Sequence, residues 1–510
     1  MTEEGGKEPD LSTIRCVHLV GVAGSGLSGL ASLFLSAGVE VSGSESQDSP
    51  TLRKLENAGV RCAVGHDGAN VGPRTELVVA SAAIAAENPE LVAARSRGIA
   101  VLKYSQCLGA LMGRRTGIGI AGTHGKTTTT AMVASALTDA GRDPGFLIGG
   151  EYPGLGGASR WGTGELFVAE ACEFDRSFHR LQPVHAIVTN IEEDHLDYFM
   201  SLEEIREAFG VFARLLPPGG TLVLNRDDPN SRHLPAWLRG SAVSFSLRSR
   251  EGDWWADEMA PQGGGIRFRA RSGVGESARV ALKVPGVHNV KNALATIALL
   301  RRLGLSLAEV VKGIETFTGV SRRFEILLRD PVVVIDDYAH HPTEIEAVLR
   351  AARETFAGRR IRMIFQPHQH SRTRRFLAKF AEILAAADES VVAEVYHARD
   401  SIEEVRQVSA SVLAAEIRRL GGHVVCAPRF PEILDHLRRT LVRGEVIVCL
   451  GAGDITLLAR RLAAELADGP SDRLPGGLEP RAELLDEESP APRMNGQKKG
   501  QSALQKERVA

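Results

Sequence analysis

Seven consecutive residues, Gly122-Thr123-His124-Gly125-Lys126-Thr127-Thr128, carry the most specific chemistry in the sequence. Apolar Ile118 and Ile120 lead into them. Met132, Val133, Ala136, Leu137 and Ala140 then recur at helical spacing, and Gly141 is placed to end the helix. A strand, a glycine turn and a helix together point backbone N–H groups and a positive helix end at a phosphate. Lys126 can then reach terminal phosphates, and the Thr127 hydroxyl is placed to ligate Mg²⁺. The usual phosphate-loop spacing needs a glycine at position 120, where Ile120 stands, so this loop is a shortened one. An ordinary glycine turn leaves the lysine and the hydroxyl run unexplained. The expected ligand is a nucleoside triphosphate.

A second glycine motif lies a hundred residues earlier. Cys16–Val20 reads as a buried strand, after which Gly24-Ser25-Gly26-x-x-Gly29 opens a helix. Glu45 follows the apolar strand Val39–Val41 at the place of a ribose-binding acid, and Leu77–Ala80 runs into Ser81. Taken alone, this fingerprint commonly means NAD or FAD, so an oxidoreductase is the rival reading. The unrelated phosphate loop argues against it, because a redox enzyme has no evident use for ATP in the same chain. A nucleotide-linked substrate at the first motif and ATP at the second fit both.

Acids and imidazoles recur where strands should end. Leu166–Ala169 ends in Glu170, with Glu173 close behind, and Ala186–Thr189 is followed by Asn190 and by Glu192-Glu193-Asp194-His195. Ligands of open α/β sheets bind beyond the carboxyl ends of strands, so Glu170 and His195 should converge near Lys126. There they could hold a divalent ion between ATP and an anionic acceptor. Asn289 and Asn292 precede an apolar helix, Ala293–Leu300, and share one face of a turn; they suit either an adenine edge or a helix cap. In the last third, Val332–Ile335 ends in Asp336-Asp337-Tyr338-Ala339-His340-His341, and Ile361–Phe365 ends in Gln366-Pro367-His368-Gln369-His370-Ser371-Arg372-Thr373-Arg374. Four histidines invite a zinc reading, but adjacent histidines seldom share one ion and no cysteine lies nearby. Arginines 322, 323, 372 and 374 suit carboxylates or phosphates, with one of each pair, and Arg375, able to face solvent instead.

The elements that must position these groups alternate strand and helix throughout, which predicts an α/β protein of three domains. These are a Rossmann-like domain over about 1–115, a central phosphate-loop α/β domain over 116–320 and a second Rossmann-like domain over 321–465. The glycine-rich stretch from about 240 to 285 reads as a small antiparallel appendage to the central domain. Residues 466–510 turn to Pro, Gly, Glu, Lys and Gln without apolar periodicity, which predicts a disordered tail. With 510 residues, 43% of them hydrophobic, the chain can bury several cores. A net charge of −2 gives no electrostatic reason to expect nucleic acid. Six scattered cysteines without C-x-x-C spacing suit reduced thiols, and neither a signal peptide nor a spanning segment is legible. A cytoplasmic enzyme without membrane insertion is expected, monomer or homodimer.

Collected in order, GVAGSGLSGLA, VSGSES, GTHGKTTTT, AEACEFDRSF, TNIEEDHLDYF, HNVKNALA, GVSRRFE, DDYAHHPTE, QPHQHSRTR and GAGDI resemble the Mur ligase family of ATP-dependent amide ligases over roughly residues 14–460. The resemblance implies ATP and Mg²⁺ as cofactors and, within the family, UDP-N-acetylmuramate and L-alanine as partners. It places Gly24, Gly26, Gly29 and Glu45 beside the UDP moiety, with Ser81 in the same pocket. It puts Lys126 on the phosphates and Thr127 on Mg²⁺, with Glu170 and His195 on a second ion. Asn289 and Asn292 would meet adenine, and Arg323 and Asp337 would meet ATP from the third domain. Tyr338, His340 and Arg372 would neighbour the incoming amino acid, with His340 a candidate for taking the amine's proton. Three positions depart from the family wording: Glu45 replaces an aspartate, Gln369 an arginine, and Cys172-Glu173-Phe174 an Ala/Asp-rich run.

Overall fold

The structure of the chain, a computed structural model, describes residues 10–468 apart from 197 and 399. Most of the segment expected to be disordered, 469–510, lies outside the described residues. The last helix, Ile455–Asp468, runs three residues past the expected domain end at 465.

The first sheet has five parallel strands: β1 (Cys16–Val20), β2 (Glu40–Glu45), β3 (Arg61–Val64), β4 (Leu77–Ala80) and β5 (Ala100–Lys103). Their order is β3-β2-β1-β4-β5. All five residues of β1 are buried, as a central parallel strand covered on both faces requires. The order reverses between β1 and β4, which opens a crevice at their carboxyl ends. The helix Ser25–Ser36 starts in that crevice, and no side chain caps it.

The second sheet has ten strands. They are β6 (Thr116–Ala121), β7 (Gly145–Leu147), β8 (Ser159–Arg160), β9 (Leu166–Glu170), β10 (His185–Val188), β11 (Thr221–Asn225), β12 (Ser241–Ser246), β13 (Trp254–Gln262), β14 (Gly265–Ser272) and β15 (Ser277–Leu282). The order is β15-β14-β13-β12-β11-β10-β6-β9-β7-β8. Strand β6 lies between β10 and β9 and is parallel to both, with Ile120 beside Ile187 and Glu170. The three carboxyl ends are therefore flush, so the phosphate loop, Glu170 and the 190–195 segment leave the sheet side by side. The antiparallel strands expected over 240–285 are β13–β15, but they do not stand apart from the central sheet. Phe245 and Ser246 of β12 pair in parallel with Trp254 and Trp255 of β13, so the antiparallel β13–β15 meander continues the main sheet.

The third sheet comprises β16 (Glu325–Leu328), β17 (Val333–Asp337), β18 (Ile361–Phe365), β19 (Glu389–Val392), β20 (Val424–Cys426) and β21 (Val446–Leu450), ordered β16-β17-β21-β18-β19-β20. Only β16 is antiparallel to its neighbour.

The cores are shared unequally. One apolar cluster runs from Leu19, Leu30 and Leu33 of the first unit through Leu147 and Phe167 to Phe212 of the second, making them one packed body. The third unit fills its sheet faces with its own residues, such as Ile335, Met363 and Val448 on one side and Ile364, Ile447 and Leu458 on the other. Its contacts with the second unit are largely polar, as expected of a domain that can move.

Candidate active site

A cavity of about 1270 Å³ lies where the carboxyl ends of the three sheets meet. Single-ligand pockets commonly reach about 300–1,000 Å³, so this one has room for more than one reactant. Its lining draws Gly24, Ser25, Gly26 and Ser81 from the first unit, Thr123–Thr128, Glu170, His195, Asn289 and Asn292 from the second, and Arg323, Asp337, Tyr338 and His340 from the third.

The phosphate loop is held rigidly. The N–H of Thr123 donates to the Asn190 carbonyl (3.0 Å), the N–H of His124 to Asn190 Oδ1 (2.9 Å), and Thr189 Oγ1 to the His124 carbonyl (2.6 Å). Gly125 sits at φ +82° before the helix Lys126–Asp139, whose start no side chain caps. The first-turn N–H groups are thus left for an anion. A Cβ at Gly125 would come within 2.8 Å of Asn292 Oδ1. We expect Gly125→Ala to cost about 1–2 kcal/mol in stability and to weaken nucleotide binding at least tenfold, readable by calorimetry.

Lys126 Nζ donates to the carbonyls of Gly122 and Thr123 and to both oxygens of Glu173 at 3.0 Å. Burial would lower its pKa, but the Glu173 carboxylate outweighs that and raises it, so the ammonium stays charged. Glu173 is 2% exposed and lies 4.0 Å from His195 Nε2. Sequence reasoning assigns Glu173 no task; its place three residues after Glu170, just past the end of β9, is the one local signal it offers. His195 adopts φ +53°, a backbone state unfavourable for a residue with a Cβ, and its Nδ1 is buried without a hydrogen-bond partner. Glu170 accepts the Gly149 N–H. The unpartnered imidazole nitrogen, the Glu170 carboxylate at the cavity wall and the Thr127 hydroxyl are donors of the kinds that would suit a divalent cation.

Asn289 and Asn292 lie inside the helix Val287–Arg302, whose cap is Gly286, so they are not caps. The helix begins earlier than expected because Gly286 (φ +92°) lets it start at Val287. Asn289 Nδ2 donates to the Pro285 carbonyl (2.7 Å), and Asn292 Nδ2 to Asn289 Oδ1 (3.2 Å).

The arginine pairs divide. Arg323 Nη2 lies 3.4 Å from Thr127 Oγ1, and its guanidinium lies over the Tyr338 ring. Arg322 instead donates to the carbonyls of Gly451 (2.6 Å) and Gly453 (3.0 Å) inside its own unit. Arg372 is buried against Asp194 Oδ1 at 2.6 Å and does not line the cavity, whereas Arg374 is exposed. Asp337 accepts the N–H groups of Phe324 (2.6 Å) and Ala339 (2.7 Å) and so fixes the turn carrying Arg323. Burial raises its pKa to about 6. His340 Nδ1 meets the Tyr338 carbonyl at 3.0 Å, an acceptor that demands Nδ1–H and leaves the Nε2 lone pair available. Burial lowers its pKa to about 3, so the ring is neutral at physiological pH.

In the first unit, Glu45 accepts the Ala23 N–H (3.2 Å) and braces the glycine turn; it is not in the cavity lining. Gly29 does not line the cavity either. Its carbonyl accepts from Ser159 Oγ (2.7 Å), tying this helix to the second unit. The Tyr104 ring, unforeseen in the sequence, packs on Gly26 so closely that a Cβ there would meet it at 3.0 Å. The four histidines of the third unit separate: His340 faces His368, His341 lies beside His124, and His370 pairs with Asp400. These four form no common site.

Three α/β units around one cavity, with a phosphate loop in the middle unit and a glycine turn in the first, define a nucleotide-dependent enzyme of several substrates. Family models match consecutively: the Mur ligase family catalytic domain over residues 16–116, the middle domain over 120–300 and the glutamate ligase domain over 322–453. The chain belongs to the Mur ligase family. It is 43% identical over 458 residues to a UDP-N-acetylmuramate–L-alanine ligase of Kineococcus radiotolerans, covering 89% of this chain and 96% of that one. It is 38% identical over 455 residues to the enzyme of the same name from Sulfurihydrogenibium sp., covering 89% and 98%. Among solved structures, the UDP-N-acetylmuramate–alanine ligase of Thermotoga maritima matches at a TM-score of 0.75 with 32% identity, covering 88% of this chain and 98% of that one. A murein peptide ligase from Psychrobacter arcticus matches at 0.68 with 28% identity, covering 89% and 99%. No helix among the described residues is long and apolar enough to cross a membrane.

Proposed function

We propose that the protein joins L-alanine to the lactyl carboxylate of UDP-N-acetylmuramate with cleavage of ATP, a step of peptidoglycan precursor synthesis. The observation that carries this reading is the convergence of Lys126, Glu170 and His195 on one cavity that extends to the Gly24–Gly26 turn. A carboxylate must gain a leaving group before an amine can displace it. Its oxygen attacks the γ-phosphorus of ATP to give an acyl phosphate and ADP; the amine then attacks the acyl carbon and phosphate departs. Lys126 and the uncapped helix start stabilise charge on the transferred group. Thr127, Glu170 and His195 would hold Mg²⁺, whose charge neutralises the phosphates and lets two anionic reactants approach. Asn289 and Asn292 hold the adenine end, with Arg323 and the Asp337 turn closing on ATP. Ser25, Gly26 and Ser81 line the UDP side. His340 Nε2 offers the amine an open lone pair, but the burial that lowers its pKa to about 3 suits it to accept a hydrogen bond from the amine rather than to keep its proton. The reading carries a cytoplasmic location with it.

The test is phosphate release from ATP and Mg²⁺ in the presence of UDP-N-acetylmuramate and single amino acids or a tripeptide. Release that needs both the sugar nucleotide and L-alanine is expected. Release only with tripeptide would make the protein a recycling ligase, and release indifferent to the sugar nucleotide would overturn the reading. His195→Ala should raise the Mg²⁺ concentration for half-maximal activity at least tenfold. A rate unchanged across a Mg²⁺ titration would remove His195 from the metal site.

A further inference from the structure

The phosphate loop carries one side chain that reaches out of its own unit. His124 Nδ1 lies 3.2 Å from Glu344 Oε1, on the helix Pro342–Thr355 of the third unit, and its Nε2 lies 3.6 Å from Glu192 Oε2 of the second. Its ring centroid is 4.7 Å from that of His341. Both carboxylates also hold other groups at the seam between the second and third units. Glu344 Oε2 accepts the N–H groups of His340 (3.1 Å) and His341 (3.3 Å), which fixes the start of its own helix. Glu192 Oε2 accepts Thr343 Oγ1 (2.6 Å) across the seam, and the His341 ring reaches back to the Glu193 carbonyl at 3.1 Å. This seam joins polar contacts to one apolar one, Leu196 of the second unit against the third unit's core, whereas the first and second units share an extended apolar core.

We propose that His124 is a positioning residue that couples docking of the third unit to the phosphate loop, its imidazolium bridging Glu192 and Glu344. The inference rests on the ligase reading above. His124 Nδ1 donates to Glu344 Oε1, while Nε2, 3.6 Å from Glu192 Oε2, makes no hydrogen bond and meets that carboxylate as an ion pair, so carboxylates of opposite units both favour the charged ring. When the third unit swings away, Glu344 leaves and only Glu192 remains. When it docks, the charged ring is clamped, and with it the loop residue preceding Gly125-Lys126. The loop backbone needs no rearrangement for this, because it is already tied to Thr189 and Asn190.

The charge balance supports the geometry. Burial would lower the His124 pKa, but Glu344 and Glu192 override it and raise it to about 10. The groups facing the ring are Glu192 from its own unit and Glu344 and His341 from the third. The docked ring's pKa of about 10 stands above the ordinary 6.5; the share of that rise that Glu344 brings makes docking take up a proton below about pH 10, and the stabilisation fades as pH rises through 10.

The experiment compares the full chain with His124→Asn and Glu344→Gln. Binding of ATP and UDP-N-acetylmuramate is followed at pH 8 by calorimetry in two buffers of different ionisation enthalpy, alongside kcat and KM over pH 6–10. Proton uptake in the wild type that is lost in both variants is expected. A fall in kcat of about tenfold or more, with KM for the sugar nucleotide unchanged, should accompany it. Equal proton uptake in wild type and variants, or variants with wild-type kcat across the pH range, would overturn the coupling. A wild type that binds neither nucleotide would instead overturn the ligase reading.

Discussion

Lys126→Ala is expected to reduce ATP-dependent phosphate release by about 10²–10³-fold or more while leaving UDP-N-acetylmuramate affinity within about threefold of normal. Lys126 supplies the loop's ammonium, and the sugar-nucleotide side of the cavity is built from a different unit. The substitution also removes the partner of Glu173, which is 2% exposed and ion-paired at 3.0 Å. Removing one member of a buried pair costs about 3–5 kcal/mol, because the other charge is left uncompensated. Activity and stability can therefore be separated. Lys126→Met combined with Glu173→Gln should recover most of the melting temperature lost in Lys126→Met and none of the turnover. A double variant that regained turnover would show that Lys126 serves only to neutralise Glu173.

The parts of this site legible in the sequence were those with local signals. Lys126 announced itself through a glycine turn between an apolar strand and a helix, and Glu170 through its place at a strand end. Their meeting follows from strand order: β10 and β9 flank β6, so three loops distant in sequence emerge together. What stayed hidden depended on contacts between units. Asp194 and Glu344 look like ordinary acids of a loop and a helix start, and only the docked third unit shows that one meets Arg372 and the other His124. Arg322 and Arg323 are neighbours of identical type, separated in role by a turn that sequence spacing does not encode. The extent of the central sheet was also hidden, because the parallel pairing of β12 with β13 rests on two residues of each strand.

Arg372→Ala should lower kcat by about 10²-fold with little change in KM for ATP or UDP-N-acetylmuramate, although Arg372 does not line the cavity. Asp194 Oδ1 accepts both Arg372 Nη2 (2.6 Å) and the His195 N–H (2.7 Å). Burial would raise the Asp194 pKa, but the charges of His195 and Arg372 hold it well below the usual carboxylate range. The third unit thus reaches through one guanidinium to the backbone that keeps His195 at φ +53°. Arg372→Lys keeps the charge but loses the planar fork, so it should recover only part of the loss. Asp194→Asn should imitate Arg372→Ala, and the double variant should be no worse than either single one, since both act on one bond. If Arg372→Ala instead raised KM for L-alanine while Asp194→Asn left the enzyme intact, Arg372 would be gripping the amino-acid carboxylate directly. Coupling through Asp194 predicts the reverse: the metal requirement proposed for His195 shifts in step with kcat, and the amino-acid KM does not move.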